Sequence, residues 1–346
     1  MLRILHKAEK FKTSNTLSEK CIAAILGMPA HLLGQARDSD LGLMERSSSQ
    51  FISVIIVDAG NFSAATALSR AKKGFRVSLV DIVQYPSPRA ASYDINKIVR
   101  DDYPDELYMR MMLKAMPLWR NDPLYRPWYY ETGLLRSGPS SLWEDSIESY
   151  ELCGINNACE ILPVKEGVDK VLYNPSVGIA EAGKALKAVV QAAVDVSVEY
   201  VVSEMDVLQF RPHGEKMSVP FDTWSATDPH FIKFFEELAS TTFRGLYGEE
   251  VSGVSIKTYR ICWDACTPTK DFLISAHPHY KSLYVATGGS FHGWKFLPVI
   301  GEYIASLMQG TLADDYVLQW AWDKASGDGH CSNASYDIAG DLQEYL

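Results

Sequence analysis

A run of apolar, largely β-branched residues, Phe51-Ile-Ser-Val-Ile-Ile-Val57, breaks into Asp58-Ala-Gly-Asn-Phe-Ser63. Small residues continue from Ala64 to Lys73, Gly74 follows, and a second apolar run, Phe75-Arg-Val-Ser-Leu-Val80, stops at Asp81. The first run has no polar–apolar alternation, as expected of a strand covered on both faces in a parallel sheet. The middle segment reads as a helix that a glycine closes. Strand, helix and strand within about thirty residues make a βαβ unit, which places the chain among α/β folds.

The turn at 58–63 is where such a unit would hold a dinucleotide. That job asks for glycines, for a tight turn, for close approach to pyrophosphate and for tight helix–strand packing. Gly60 supplies the middle one; Asp58 stands first and Ser63 last. Ser63 is small enough to pack. A carboxylate at Asp58, about 4 Å from a phosphate, would cost roughly 1 to 4 kcal/mol. Asp81, 23 residues after Asp58, is well placed to accept hydrogen bonds from a ribose. The turn by itself is equally compatible with a plain α/β connection that holds no ligand.

Further along, 104–120 reads as a helix, Tyr129–Leu135 as a strand, 179–194 as a helix and 198–202 as a strand. A late strand, Leu283–Ala286, runs into Gly288-Gly289, and a last long helix is expected over 297–309. Residues 1–50 read as an N-terminal extension and 331–346 as a C-terminal tail. A net charge of −10 without a dense basic run argues against nucleic acid or an anionic membrane as partner. No apolar stretch is long enough to span a bilayer. Six scattered cysteines without a C-x-x-C pair fit a reducing compartment and no metal site; a cytoplasmic location is the default, and a monomer is expected.

Two segments near the C-terminus carry the remaining chemistry: Cys262-Trp-Asp-Ala, and Gly288-Gly-Ser-Phe-His-Gly-Trp-Lys295. A lone cysteine is most often a small buried apolar group. A lone lysine is usually a solvated charge, and His292 taken singly would be structural. Gly288, Gly289 and Gly293 after a strand change that weighting, because they let backbone approach a ligand closely.

With these pieces in order, the chain resembles the FAD-dependent amine oxidases that include monomeric sarcosine oxidase, fungal fructosyl amino acid oxidases and pipecolate or saccharopine oxidases. Ile55–Phe62, Ala91–Tyr103 and Arg260-Ile-Cys-Trp-Asp-Ala through Lys295-Phe-Leu-Pro298 carry the resemblance. It implies an α/β fold: an FAD-binding Rossmann-like domain, a parallel sheet with helices, plus a reduced mixed α+β substrate cap. The FAD-binding domain would comprise 51–102, 166–212 and 257–330, and the cap 103–165 and 213–256. Cys262 matches the cysteine that carries flavin covalently, Lys97 a cation beside the flavin, and Arg100 and Lys295 the clamp on the substrate carboxylate. His292 joins the catalytic set. Gly60, Asn61, Phe62, Asp81, Ser92, Lys97, Val202, Cys262, Gly289, Gly293 and Lys295 would line the cofactor. The implied reaction oxidises the C–N bond of a secondary-amine amino acid to an imine, with O2 as acceptor and H2O2 released.

Between Val202 and Cys262 the resemblance also implies a loss. The chain passes from Val207-Leu-Gln-Phe-Arg-Pro-His-Gly214 directly to Lys216-Met-Ser-Val-Pro220. A segment of roughly 100 residues, the size of a small domain, is missing there. With it goes the lysine the family uses to activate oxygen. Such a loss should bare apolar sheet surface. Two alternatives follow: a catalytically impaired remnant that binds flavin weakly or not at all, and a nicotinamide-dependent Rossmann reductase, which would explain Asp81.

Overall fold

Strand β1 (Ser53–Val57), helix α1 (Asn61–Lys72) and β2 (Arg76–Asp81) form the expected βαβ start. The computed structural model describes residues 53–87, 90–137, 140–162, 171–203, 265, 267 and 269–324. After β2 come β3 (Lys97–Val99), α2 (Glu106–Asn121), β4 (Tyr129–Glu131), β5 (Leu134–Ser137) and α3 (Ser140–Leu152). They are followed by β6 (Glu160–Leu162), β7 (Val171–Asn174), β8 (Gly178–Ala180), α4 (Ala182–Asp195) and β9 (Glu199–Val202). The last elements are β10 (Leu273–Ala276), β11 (Tyr284–Thr287), α5 (Ile300–Met308) and α6 (Asp314–Gln319).

The nucleotide-type sheet is parallel, in the order β1-β2-β9. Val54 pairs with Val77 and Ile56 with Leu79, and Asp81 pairs with Val202 at the carboxyl end. Val77 and Leu79 are buried beneath α1 and α4, whose small residues (Ala64, Ala67, Ala185) and aliphatics (Leu68, Leu186, Val189, Val190) recur at helical spacing. Helix α5 closes on α1 at the backbone: a Cβ on Gly301 would stand 2.1 Å from the carbonyl oxygen of Ala65. The other face of the sheet is less covered. Ile55 and Val57 are 40% and 39% exposed, the bare apolar surface expected of the shortened chain.

Two three-stranded antiparallel sheets, β3-β8-β4 and β5-β7-β6, stand with α2 and α3, and β10 pairs antiparallel with β11. Helix α2 starts where Asp105 accepts hydrogen bonds from the N–H groups of Leu107 and Tyr108. It buries Tyr108, Met109, Met112, Met116 and Trp119 on one side. Two readings of the sequence need correction. Ile179 is not helical but sits at the centre of β8, between Ile98 and Tyr130, and the helix begins at Ala182. The single strand expected over 129–135 is two, because Gly133 at φ +68° turns the chain from one sheet to the other.

Candidate active site

Two long-range contacts bring the βαβ start and the late glycine segment together. The Nδ2 amide of Asn61 donates to the carbonyl of Gly293 at 2.9 Å. A Cβ on Gly293 would meet the Cα of Gly289 at 2.9 Å and the ring of Phe62 at 3.0 Å, so only glycine lets these backbones touch. Asn61 is nearly buried and its Oδ1 has no partner; the same is true of Nε1 of Trp294. Buried polar atoms are normally satisfied, so both atoms point to a missing hydrogen-bonding partner.

Near this junction three residues, Arg100, Lys295 and His292, converge on Tyr103. The guanidinium carbon of Arg100 lies 5.0 Å and Nζ of Lys295 4.5 Å from the centroid of Tyr103. The Tyr103 hydroxyl is 3.0 Å from Nδ1 of His292, whose Nε2 is 3.0 Å from the carbonyl of Lys270. A carbonyl can only accept, so Nε2 carries the proton and Nδ1 accepts from the tyrosine. Burial, then the charge of Lys295, pushes the imidazole down to about 3. His292 is therefore neutral, with both nitrogens engaged, and it stacks on Phe272 at 4.8 Å.

Arg100 follows β3 and is held from behind. It bonds both the carbonyl and the carboxylate of Asp102, a fully buried residue that also pairs with Arg136. A guanidinium fixed in this way keeps a defined direction, which is what planar recognition of a carboxylate requires. Lys295 sits in the short turn Trp294–Phe296 ahead of α5 and is buried. Its carbonyl accepts from Nε1 of Trp119, whose ring stacks on Trp294 at 5.4 Å. Lys97 pairs with Asp94 at 3.0 Å and remains partly exposed.

At the nucleotide-type turn, Asp81 is buried and accepts from the N–H groups of Ala59 (2.9 Å) and Ile82 (2.6 Å). Val202, its partner in the sheet, is half-exposed at the same strand end, as a pocket wall beside a ribose would be. Ser92 is buried, with its Oγ 3.5 Å from where a Cβ on Gly60 would stand. Asp58 adopts φ +77° and accepts from the Gly60 N–H at 3.1 Å. Cys262 lies outside the described residues. Among the described residues, no cluster of histidine, cysteine and carboxylate could hold a metal ion, and no helix is long and apolar enough to cross a membrane.

A cavity of about 740 Å³ opens elsewhere, lined by Asp105, Glu106, Asp145, Glu148, Asp315 and their neighbours. Its carboxylates would repel an amino acid's carboxylate, and none of Lys97, Arg100, His292 and Lys295 lines it. The convergent polar groups around Tyr103 are the better site. The sequence reading passed over Tyr103, Asp102 and Arg136 as site components. Tyr103 closes the segment Ala91–Tyr103, but nothing in its spacing marks it as the ring two cations share.

No family model matches the chain. It is 24% identical to L-saccharopine oxidase of Schizosaccharomyces pombe, over 79% of this chain and 94% of that protein. It is 20% identical to monomeric sarcosine oxidase of Bacillus sp., over 73% and 92%. In three dimensions it is similar to fructosyl peptide oxidase of E. terrenum, with a TM-score of 0.69 at 17% identity, over 87% of this chain and 98% of that one. The chain is similar over most of its length to oxidases of the kind its motifs resemble. The α/β Rossmann-like fold expected from the motifs holds with it. The internal shortening is visible too. The match to the saccharopine oxidase runs over 408 residues, yet 79% of 346 residues is only about 273, so well over 100 positions of that amine oxidase have no counterpart here.

Proposed function

We propose that this chain is an FAD-dependent oxidoreductase acting on the C–N bond of a secondary-amine amino acid, of the sarcosine, pipecolate, saccharopine or fructosyl amino acid type. The observation that carries the reading is the convergence of Arg100 and Lys295 on Tyr103. Two cations of opposite chain ends, both nearly buried, suit one anion better than two. Flavin bound at the glycine segment would supply the electron acceptor for the C–N bond, pass the electrons to O2 and so give H2O2.

The chain's own residues would do the rest. Arg100 and Lys295 would hold the substrate carboxylate and fix the reacting carbon at one place. His292, neutral and bonded at both nitrogens, would position the Tyr103 ring and is unsuited to take up a proton. Phe272 and Phe296, packed on His292, with Phe62 behind Phe272, would keep water out. The partnerless Oδ1 of Asn61 and Nε1 of Trp294 are groups a cofactor could satisfy. Asp81 and Val202 would face its ribose, with Gly60, Gly289 and Gly293 allowing close approach. Lys97 would lie near the ring, and Cys262 would form the covalent link.

The test is direct. Purified protein supplied with FAD should release H2O2 with at least one of sarcosine, pipecolate, saccharopine or a fructosyl amino acid. The yellow colour should stay with the polypeptide through acid precipitation and be lost from Cys262→Ala. Protein that stays colourless in excess FAD would refute the reading. A second reading, a remnant that binds flavin weakly, is favoured by one observation: the Asp58 carboxylate holds the Gly60 N–H.

A further inference from the structure

The start of α1 is where a phosphate would be expected, because unpaired N–H groups and the helix dipole favour an anion there. In this chain an anion is built in. The N–H of Asp58 continues the ladder of β1 by donating to the carbonyl of Val80 at 2.8 Å, and its φ of +77° then turns the side chain back over the turn. Oδ1 accepts from the Gly60 N–H at 3.1 Å, and Oδ2 lies 3.0 Å from where a Gly60 Cβ would stand. The preceding N–H, that of Ala59, is given to Asp81. Two successive amides of the turn are thus spent on carboxylates of the chain itself. Gly60 caps the helix without a side-chain bond, and its first turn carries no acidic residue that could otherwise account for the anion. At the same helix start the Oδ1 of Asn61, nearly buried, has no partner, which marks the place as one where a ligand group is wanted.

We propose that Asp58 is an intramolecular competitor for the phosphate-bearing half of a dinucleotide, seated on the amide that a phosphate oxygen would use. The proposal rests on reading this turn as an FAD site, and it makes Asp58 the residue that sets the chain's affinity for the cofactor. Like-charge repulsion acts only on the phosphates, so the ribose contacts of Asp81 and the contacts of the glycine segment are left intact.

The groups facing Asp58 are Asp81 on β2, Tyr200 on β9, the Gly60 N–H on the helix start and Ser92 beyond Gly60. Among the described residues none of the titratable ones is a cation that would offset the repulsion. Enclosure and the charge of Asp81 raise the carboxyl from 3.8 to about 6. Competition should therefore ease in mild acid.

Equilibrium binding of FAD to the full chain in a Cys262→Ala background, where no covalent link can trap the cofactor, followed by flavin fluorescence or calorimetry at pH 8 and pH 5.5, tests this. Asp58→Gly keeps the positive φ at no cost, and Asp58→Asn keeps the shape while removing the charge. Both should bind FAD at least about tenfold more tightly than the Asp58 parent at pH 8, the size expected of one like charge removed from beside a phosphate. At pH 5.5 the gap should shrink, because only the Asp58 parent changes. Equal affinity in all three proteins at both pH values overturns the proposal and leaves the FAD reading standing. No binding by any of them, with circular dichroism showing all three folded, overturns both.

Discussion

The hydroxyl of Tyr103 reaches Nδ1 of His292 at 3.0 Å, while the ring of the same tyrosine faces Arg100 and Lys295. One side chain therefore ties the orientation of a neutral imidazole to the placement of two cations. Tyr103→Phe keeps the ring and removes the hydrogen bond to the buried Nδ1, which should cost about 1–3 kcal/mol of stability. Urea unfolding measures it, and a cost near zero would mean that water replaces the hydroxyl. The imidazole adds a pH dependence. Unfolded, it takes up a proton near 6.5; folded, only near 3. Its contribution to stability is complete above 6.5 and is lost as pH falls through that window. Its ring should remain neutral at pH 5 by NMR.

Arg100 and Lys295 predict a split between substrate binding and folding. Lys295→Met and Arg100→Met each remove one charge-assisted contact to a carboxylate and should weaken binding of a simple carboxylate ligand about 10- to 100-fold. Cofactor uptake should change much less. The two differ in stability. Arg100→Met removes one of the two guanidinium partners that the fully buried Asp102 has among the described residues, and losing a hydrogen bond to a buried charge costs about 1.5–3 kcal/mol. Comparing denaturation midpoints with ligand dissociation constants separates these effects. Equal ligand affinity in wild type and Lys295→Met would remove the lysine from the site.

The contact between α1 and α5 makes a prediction about the fold itself. A Cβ on Gly301 would lie 2.1 Å from the Ala65 carbonyl oxygen and 2.9 Å from the Thr66 nitrogen. Both are backbone atoms inside a helix and cannot turn aside. Gly301→Ala must push the helices apart, and overpacking of this kind costs about 1–3 kcal/mol. The Asn61–Gly293 hydrogen bond joins the start of α1 to the turn that leads into α5, so flavin affinity should fall along with the melting temperature. An unchanged melting temperature would mean the helices are not packed as described.

What could be read in advance follows the range of the forces involved. The βαβ start was legible because β-branched runs, a helix of small residues and Gly74 at φ +83° act within a few residues of one another. The late strand and its glycines were legible for the same reason, with Gly288 at φ +69°. Ile179 was misread because a three-residue strand is too short to show a period of two beside a strongly helical stretch. Its place is fixed by Ile98 and Tyr130 in other strands. The role of Tyr103 depends on side chains about 190 residues apart, and no local pattern encodes that. Asp58 was visible as a departure from the glycine pattern, but its bond to Gly60 was not.

Asp58 yields a last prediction, opposite in sign to that of His292. Asp58 is an exposed residue, although neighbouring atoms crowd its carboxyl. Burial first, then the charge of Asp81, raises it to about 6, against the opposing hydrogen bonds from Gly60 and Ala59. Unfolded, the group loses its proton near 3.8. Between these values the native state holds more protons, so this contribution to stability falls as pH rises and levels off above about 6. Asp58→Asn has no charge to lose, and asparagine tolerates positive φ as well as aspartate does. Its stability relative to wild type should therefore climb from pH 4 to pH 6 and then stay constant. Urea unfolding of both proteins at pH 4, 5, 6 and 7.5 gives the curve. A difference that does not vary with pH would mean the native carboxyl titrates as freely as the unfolded one, with neither Asp81 nor the enclosure of the turn acting on it.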